Sequence, residues 1–98
     1  MTEEFLGEDP KLRLEDICLQ CSLSISKATA YIEEGVVDVQ GDDVEQWRFS
    51  EVSIIQFKKA QRLEQDLRLN PAGVALALEL MSQIDELKTR LERFQRTV

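Results

Sequence analysis

Ser24-Ile25-Ser26-Lys27-Ala28-Thr29-Ala30-Tyr31-Ile32-Glu33-Glu34-Gly35-Val36 is the segment whose reading decides the fold. Ser24 is a natural N-cap, since a hydroxyl there can accept from a free first-turn N–H. Ile25, Ala28 and Ile32 follow at helical spacing and form an apolar stripe over 25–34. Gly35 stands where a left-handed C-terminal cap is expected. Just upstream, Glu15 to Cys21 reads as a short helix with Ile17 and Cys21 on one face, its acidic first turn suiting the helix dipole. Ser22-Leu23-Ser24 is a turn between the two, so the pair forms a helix-turn-helix.

Lys11-Leu12-Arg13-Leu14 alternates and predicts a short strand ahead of the first helix. Downstream, Val36-Val37-Asp38-Val39 and Val44 to Phe49 are β-type runs around Gln40-Gly41-Asp42-Asp43. They predict a hairpin wing in which Trp47 and Phe49 share a face. Ser50 can cap a third helix over Glu51 to about Arg68. Its apolar face is expected from Val52, Ile55, Ala60, Leu63 and Leu67, widened by Ile54 and Phe57. Asn70-Pro71 restarts a helix, with Asn as cap and Pro at the first helical position. That last helix should run from Pro71 to about Arg96, on the order of 40 Å at ~1.5 Å per residue. The expected fold class is mainly α with a small β-hairpin wing. It divides into an acidic flexible tail over 1–10, a winged helix-turn-helix with its following helix over 11–68, and a long dimerisation helix over 69–98.

The long helix carries a heptad: Ala77, Leu80, Ile84, Leu87, Leu91, Phe94 and Val98 recur at alternating spacings of three and four. A small wing and helix-turn-helix cannot easily cover so long a rod, so the stripe predicts a homodimeric, antiparallel coiled coil. Packing of the stripe on its own domain is the plainer alternative.

Charge is distributed in conflict with a DNA-reading shape. Among the 98 residues, the first 51 hold 13 acids and four bases, a formal −9, whereas residues 52–98 hold six acids and eight bases, or +2. Duplex affinity comes chiefly from Lys and Arg neutralising phosphates. A −9 surface repels a polyanion and attracts a basic protein. Nucleic acid is therefore not expected as the partner.

Composition narrows the chemistry. There is no histidine, which removes the commonest general base and metal ligand, and the four glycines make no phosphate loop. No catalytic constellation, cofactor or metal site can be assembled, so the chain is not expected to be an enzyme. Cys18 and Cys21 form a lone C-x-x-C without a second pair, and read as free thiols in and beside the core. Met1 to Pro10 lacks the basic region of a signal peptide, and no apolar run approaches the roughly 20 residues that span a bilayer. The expected location is the cytoplasm, including the nucleoid if the partner lies there.

The order of elements resembles the MerR regulator family over about Leu12 to Phe94. The resemblance rests on the 24–36 segment and on the aromatic-Arg-aromatic run Trp47-Arg48-Phe49, which lacks the family's spacing residue. MerR-type regulators typically hold a Thr-Leu-Arg-Tyr-Tyr-Glu-Arg-like run in the recognition helix. Aligned on Gly35, the first arginine becomes Thr29 and the second becomes Glu33, so the phosphate-contacting cations are missing or reversed. Only Tyr31 and Arg48 could survive as contacts. The cysteines that MerR metal sensors place near the dimerisation helix are also absent.

A more specific resemblance, to CbpM-type chaperone modulators, covers Lys59-Ala60-Gln61-Arg62-Leu63-Glu64-Gln65-Asp66-Leu67-Arg68-Leu69-Asn70-Pro71-Ala72-Gly73-Val74-Ala75-Leu76-Ala77-Leu78-Glu79-Leu80-Met81, together with Ile17-Cys18-Leu19. That resemblance implies a protein that binds the J-domain of a CbpA-like, DnaJ-type co-chaperone and inhibits its stimulation of the DnaK-type chaperone. J-domains, as the resemblance implies, present a basic helix, which an acidic modulator could occupy. Glu33, Glu34, Asp38, Asp42, Asp43 and Glu45 are the expected partner-binding acids, with Trp47 or Tyr31 as anchors. The plainer alternatives are solvated acids and a Trp47 packed on the core. The expected dimer interface is Ala77, Leu80, Ile84, Leu87, Leu91 and Phe94. The competing functional reading is a MerR-like DNA-binding transcriptional regulator using Lys27, Tyr31 and Arg48, with bases of the long helices near phosphate.

Overall fold

Four helices carry the architecture of the computed structural model, which describes residues 10–97 and the side chains of 10–96: α1 (Leu14–Cys21), α2 (Ile25–Glu33), α3 (Glu51–Leu67) and α4 (Pro71–Thr97). The acidic tail expected over 1–10, apart from Pro10, and Val98 at the end of the heptad lie outside the described residues.

Local signals place the helix ends. Asp16 Oδ2 accepts from the Arg13 N–H at the start of α1, and Ser24 Oγ accepts from the Lys27 N–H at the start of α2. Asn70 Oδ1 accepts from the Gly73 N–H and opens α4. Helix α1 ends on Ser22 and α3 on Arg68, both left-handed, and Gly35 follows α2 at φ +76°. The Gln61 side chain donates to the Cys21 carbonyl at 2.8 Å, so α3 satisfies one of the open carbonyls at the end of α1.

Helices α1, α2 and α3 pack around Ile17, Ala28, Tyr31, Phe49, Phe57 and Ala60, each at most 1% exposed. The faces differ in part from the sequence expectation. Ile25 begins α2 at the edge of the domain and is exposed; Tyr31 joins Ala28 on the buried face. In α3 the inward row is Ser53, Phe57 and Ala60, while Val52, Ile55 and Leu67 face outward. A polar group can sit in that row because it is satisfied: Ser53 Oγ accepts from the Ser50 N–H and donates to the Asp38 carbonyl.

The expected β-hairpin wing is not formed. Among the described residues, pairing is confined to two isolated antiparallel bridges, Gln40 with Arg48 and Leu12 with Phe49. The physical reason lies in two places. Val36 and Val37 are both buried, so the chain leaving Gly35 turns into the core instead of alternating as a strand does. Turns at Asp43–Gln46 and Val44–Trp47 then use the backbone groups that a second strand would have offered. The short strand expected at Lys11–Leu14 is likewise reduced to the Leu12 bridge, since Leu14 already belongs to α1. The result is a closed loop over 36–50. Gly41 at φ +112° turns it tightly enough that an added Cβ would lie 2.4 Å from the Gln46 carbonyl oxygen.

Among the described residues, helix α4 packs on the core through its beginning. Val74 is buried, and Ala75 and Leu78 pack against the core. From Glu79 to Arg96 every residue is exposed.

Candidate functional site

The helix-turn-helix places α2 where a DNA-reading protein would present its recognition helix, and the chemistry of that helix follows from where its polar groups point. Lys27 is the single base of α2. Its Nζ donates to Glu64 Oε2 on α3. The Tyr31 hydroxyl donates to the other oxygen, Glu64 Oε1, at 2.6 Å. Burial alone would raise the Glu64 carboxyl, but the hydrogen bonds from Lys27 and Tyr31 outweigh it and hold the group below its ordinary value. Tyr31 is pushed well above the usual phenol range, first by burial and then by its bond to Glu64. Glu64 therefore acts as a latch that turns one side of α2 inward. Its role is not visible in the sequence, because an acid four residues from Ala60 looks like an ordinary surface residue until the fold sets Lys27 and Tyr31 beside it.

Arg48 is folded back in the same way. Its Nη1 donates to the Glu45 carbonyl at 3.1 Å and to the Trp47 carbonyl at 2.7 Å. All three residues nominated for DNA contact thus have internal partners.

The nominated acids fall into two groups. Glu33 and Glu34 are exposed at the C-terminal end of α2. Glu34 borders a hollow of about 330 Å³ shared with Gly35, Val36, Ala75, Leu78 and Glu79. Asp42, Asp43 and Glu45 are exposed on the loop. Asp38 is exposed but tied to α3, its N–H donating to Gln56 Oε1 and its carboxylate accepting from Gln56 Nε2. Tyr31, nominated as an anchor, is 1% exposed and offers no surface, whereas Trp47 is half-buried against Phe49 at 6.5 Å between ring centroids.

Trp47 and Glu45 open onto a cleft of about 510 Å³, lined also by Arg13, Leu14, Glu15, Ile25, Val44 and Arg48. It lies at the N-terminal end of α2, the opposite end from Glu33 and Glu34. Ile25 and Val44 were not nominated as site residues; their signal is exposure of a large apolar side chain, which only the fold reveals.

On α4 the nominated interface residues Leu80, Ile84, Leu87, Leu91 and Phe94 are all about half exposed or more, and Ala77 is half-buried. The thiols of Cys18 and Cys21 are free, and burial raises both; Glu15 adds to the effect at Cys18, and Lys58 opposes it at Cys21. Among the described residues no three potential ligands gather as a metal site, and no helix is long and apolar enough to cross a membrane.

This arrangement of helices corresponds to a known class. Residues 12–96 match the family described as MerR HTH family regulatory protein. Relatives named chaperone modulatory protein CbpM are similar over most of the chain. The one from Pseudomonas entomophila (strain L48) is 33% identical over 91 residues, covering 86% of this chain and 90% of the relative. The one from Pseudomonas putida (strain W619) is 31% identical over the same coverage, and that from Coxiella burnetii (strain Dugway 5J108-111) is 26% identical over 85 residues, covering 87% and 80%. The chain belongs to the MerR helix-turn-helix family and, within it, to the CbpM chaperone modulatory proteins.

Proposed function

We propose that the chain is a non-enzymatic chaperone modulator that binds the J-domain of a CbpA-type co-chaperone and inhibits its stimulation of a DnaK-type chaperone. The observation that carries this reading is the polarity of the recognition helix. Its base is held by Glu64, the loop's Arg48 is turned back on its own carbonyls, and Glu33, Glu34, Asp42, Asp43 and Glu45 face solvent. Such a surface steers a basic protein and repels a phosphate backbone. The helix-turn-helix order alone would favour a DNA-binding regulator; the inward engagement of Lys27, Tyr31 and Arg48 argues against it.

The active form in this reading is a homodimer through α4. An antiparallel pair sets Ala77 against Phe94 of the second copy, Leu80 against Leu91 and Ile84 against Leu87, each small or medium side chain meeting one that fills its space. Burial of these side chains contributes on the order of 10 kcal/mol per helix before association costs, at ~1.5–3 kcal/mol each.

Calorimetric titration with the J-domain of the organism's own CbpA-like co-chaperone at ~0.1 M salt tests the function. Saturation near one J-domain per protomer is the expected result. No binding, with retention of a palindromic duplex that weakens steeply with salt, overturns it in favour of a regulator. Glu33→Lys combined with Glu34→Lys should slow association at low salt; unchanged binding there removes the C-terminal end of α2 from the contact surface.

A further inference from the structure

Large apolar side chains exposed beside charged ones need an explanation, and the cleft between α1, α2 and the 36–50 loop gathers two of them. Ile25 is 61% exposed and Val44 is 56% exposed, yet both line the same concavity as Leu14 and the half-buried Trp47. At about 510 Å³ the cleft falls within the ~300–1,000 Å³ range of pockets that take whole ligand groups. Its floor is rigid. Trp47 meets Phe49 edge-on, Phe49 meets Phe57 at 5.9 Å, and Phe57 meets Tyr31 at 6.3 Å, so an unbroken aromatic row connects the cleft to the core. Arg48 keeps the loop folded over that floor by donating to the carbonyls of Glu45 and Trp47.

The charge around the cleft selects the kind of occupant. Glu15 and Glu45 line the cleft with Arg13 and Arg48, the latter already engaged, and the exposed Asp42 and Asp43 stand just before Val44 in the same loop. The charges of the lining itself balance, so the excess of acid comes from the exposed loop acids beside it and from the formal −9 of the first 51 residues; around an apolar floor it matches a segment that is basic along its sides and carries a large apolar side chain. A polyanion meets the wrong charge, and a purely polar segment leaves the floor wet.

We infer that this cleft seats a large apolar side chain of a basic segment of the partner J-domain, anchoring a complex that the acidic surface steers into place. The inference rests on the J-domain reading above and adds to it the seat and the residues Ile25, Val44 and Trp47. The anchor sets the dissociation rate, and the acids set the association rate.

The chain's single tryptophan makes the test direct. The protein is labelled with 5-fluorotryptophan and titrated with unlabelled J-domain, and the one fluorine resonance is followed while calorimetry reports affinity. The expected result is a saturable shift of the Trp47 resonance at the calorimetric midpoint. Ile25→Ser with Val44→Ser, both at exposed positions, should weaken binding about tenfold or more while leaving the circular dichroism and melting temperature unchanged. Leu19→Ser, equally apolar and 80% exposed but outside the cleft, should bind as the parent does. Calorimetric binding with an unmoved resonance and full affinity in the double variant overturns the cleft while leaving the J-domain reading in place. A resonance that moves on concentrating the protein alone assigns the cleft to a second copy and overturns it too. Absence of any J-domain binding overturns both.

Discussion

Replacing Glu64 by alanine should loosen the recognition helix from α3, and the size of the effect follows from its two hydrogen bonds. Tyr31 is 1% exposed and donates its hydroxyl to Glu64 Oε1 at 2.6 Å. Without the carboxylate that buried donor loses its acceptor, which costs about 1–3 kcal/mol. The ion pair with Lys27 adds less, ~0.2–1 kcal/mol, because the Lys27 side chain is 37% exposed and solvent screens it. The sum, about 1–4 kcal/mol, lowers the melting temperature by ~4–8 °C for each kcal/mol in a domain of this size. Urea and thermal unfolding at one fixed protein concentration measure it, so that any association contributes equally to both proteins. Tyr31→Phe provides the cycle: the hydroxyl is gone, so Glu64→Ala in that background should cost less than in the parent.

The same group sets a pH dependence. The folded carboxyl lies below its ordinary value near 4.5, so Glu64 contributes its full stabilisation above that value and loses it as pH falls through the depressed folded value. Glu64→Gln has no such step. The stability gap between parent and glutamine variant should therefore be constant near neutrality and close in acid. An alanine variant that melts with the parent, or a gap that does not change with pH, refutes the latch.

Further outcomes follow from other parts of the molecule. The proposed α4 dimer should become a monomer in sedimentation on Ile84→Glu with Leu87→Glu, with the helical body intact; a persisting dimer refutes the seam. Gly41→Ala should destabilise the loop by about 1–3 kcal/mol, because a φ of +112° and a carbonyl 2.4 Å from the new Cβ oppose the methyl together. Gly35→Ala, where open space surrounds the new Cβ, should cost only the left-handed penalty of about 1–2 kcal/mol. Cys18 and Cys21 should alkylate more slowly than free cysteine at neutral pH, since burial raises both thiols; rates equal to a free thiol refute that.

Helix ends were legible because their signals are local: Ser24 and Asn70 bond within three residues of themselves, and Gly35 adopts the left-handed conformation its position demands. The wing was not legible. β-branched residues at 36, 37 and 39 suit a strand, but burial of both Val36 and Val37 is a choice made by the core. Site residues divide along the same line. The acids could be named from the sequence, whereas Tyr31 changed from surface anchor to buried strut, and Ile25, Val44 and Glu64 acquired roles from neighbours distant in the chain.

The sequence by itself determined the order of the helices, their caps, the excess of acid in the first half and the heptad of the last helix, because each depends on residue type and short spacing. Tertiary structure alone decided which charges face outward. Lys27 and Glu64 lie 37 residues apart, and their pairing exists only once α2 packs across α3. A charge count cannot distinguish a base offered to phosphate from one already bound to a carboxylate, and in this protein that distinction separates a DNA-reading surface from an acidic one.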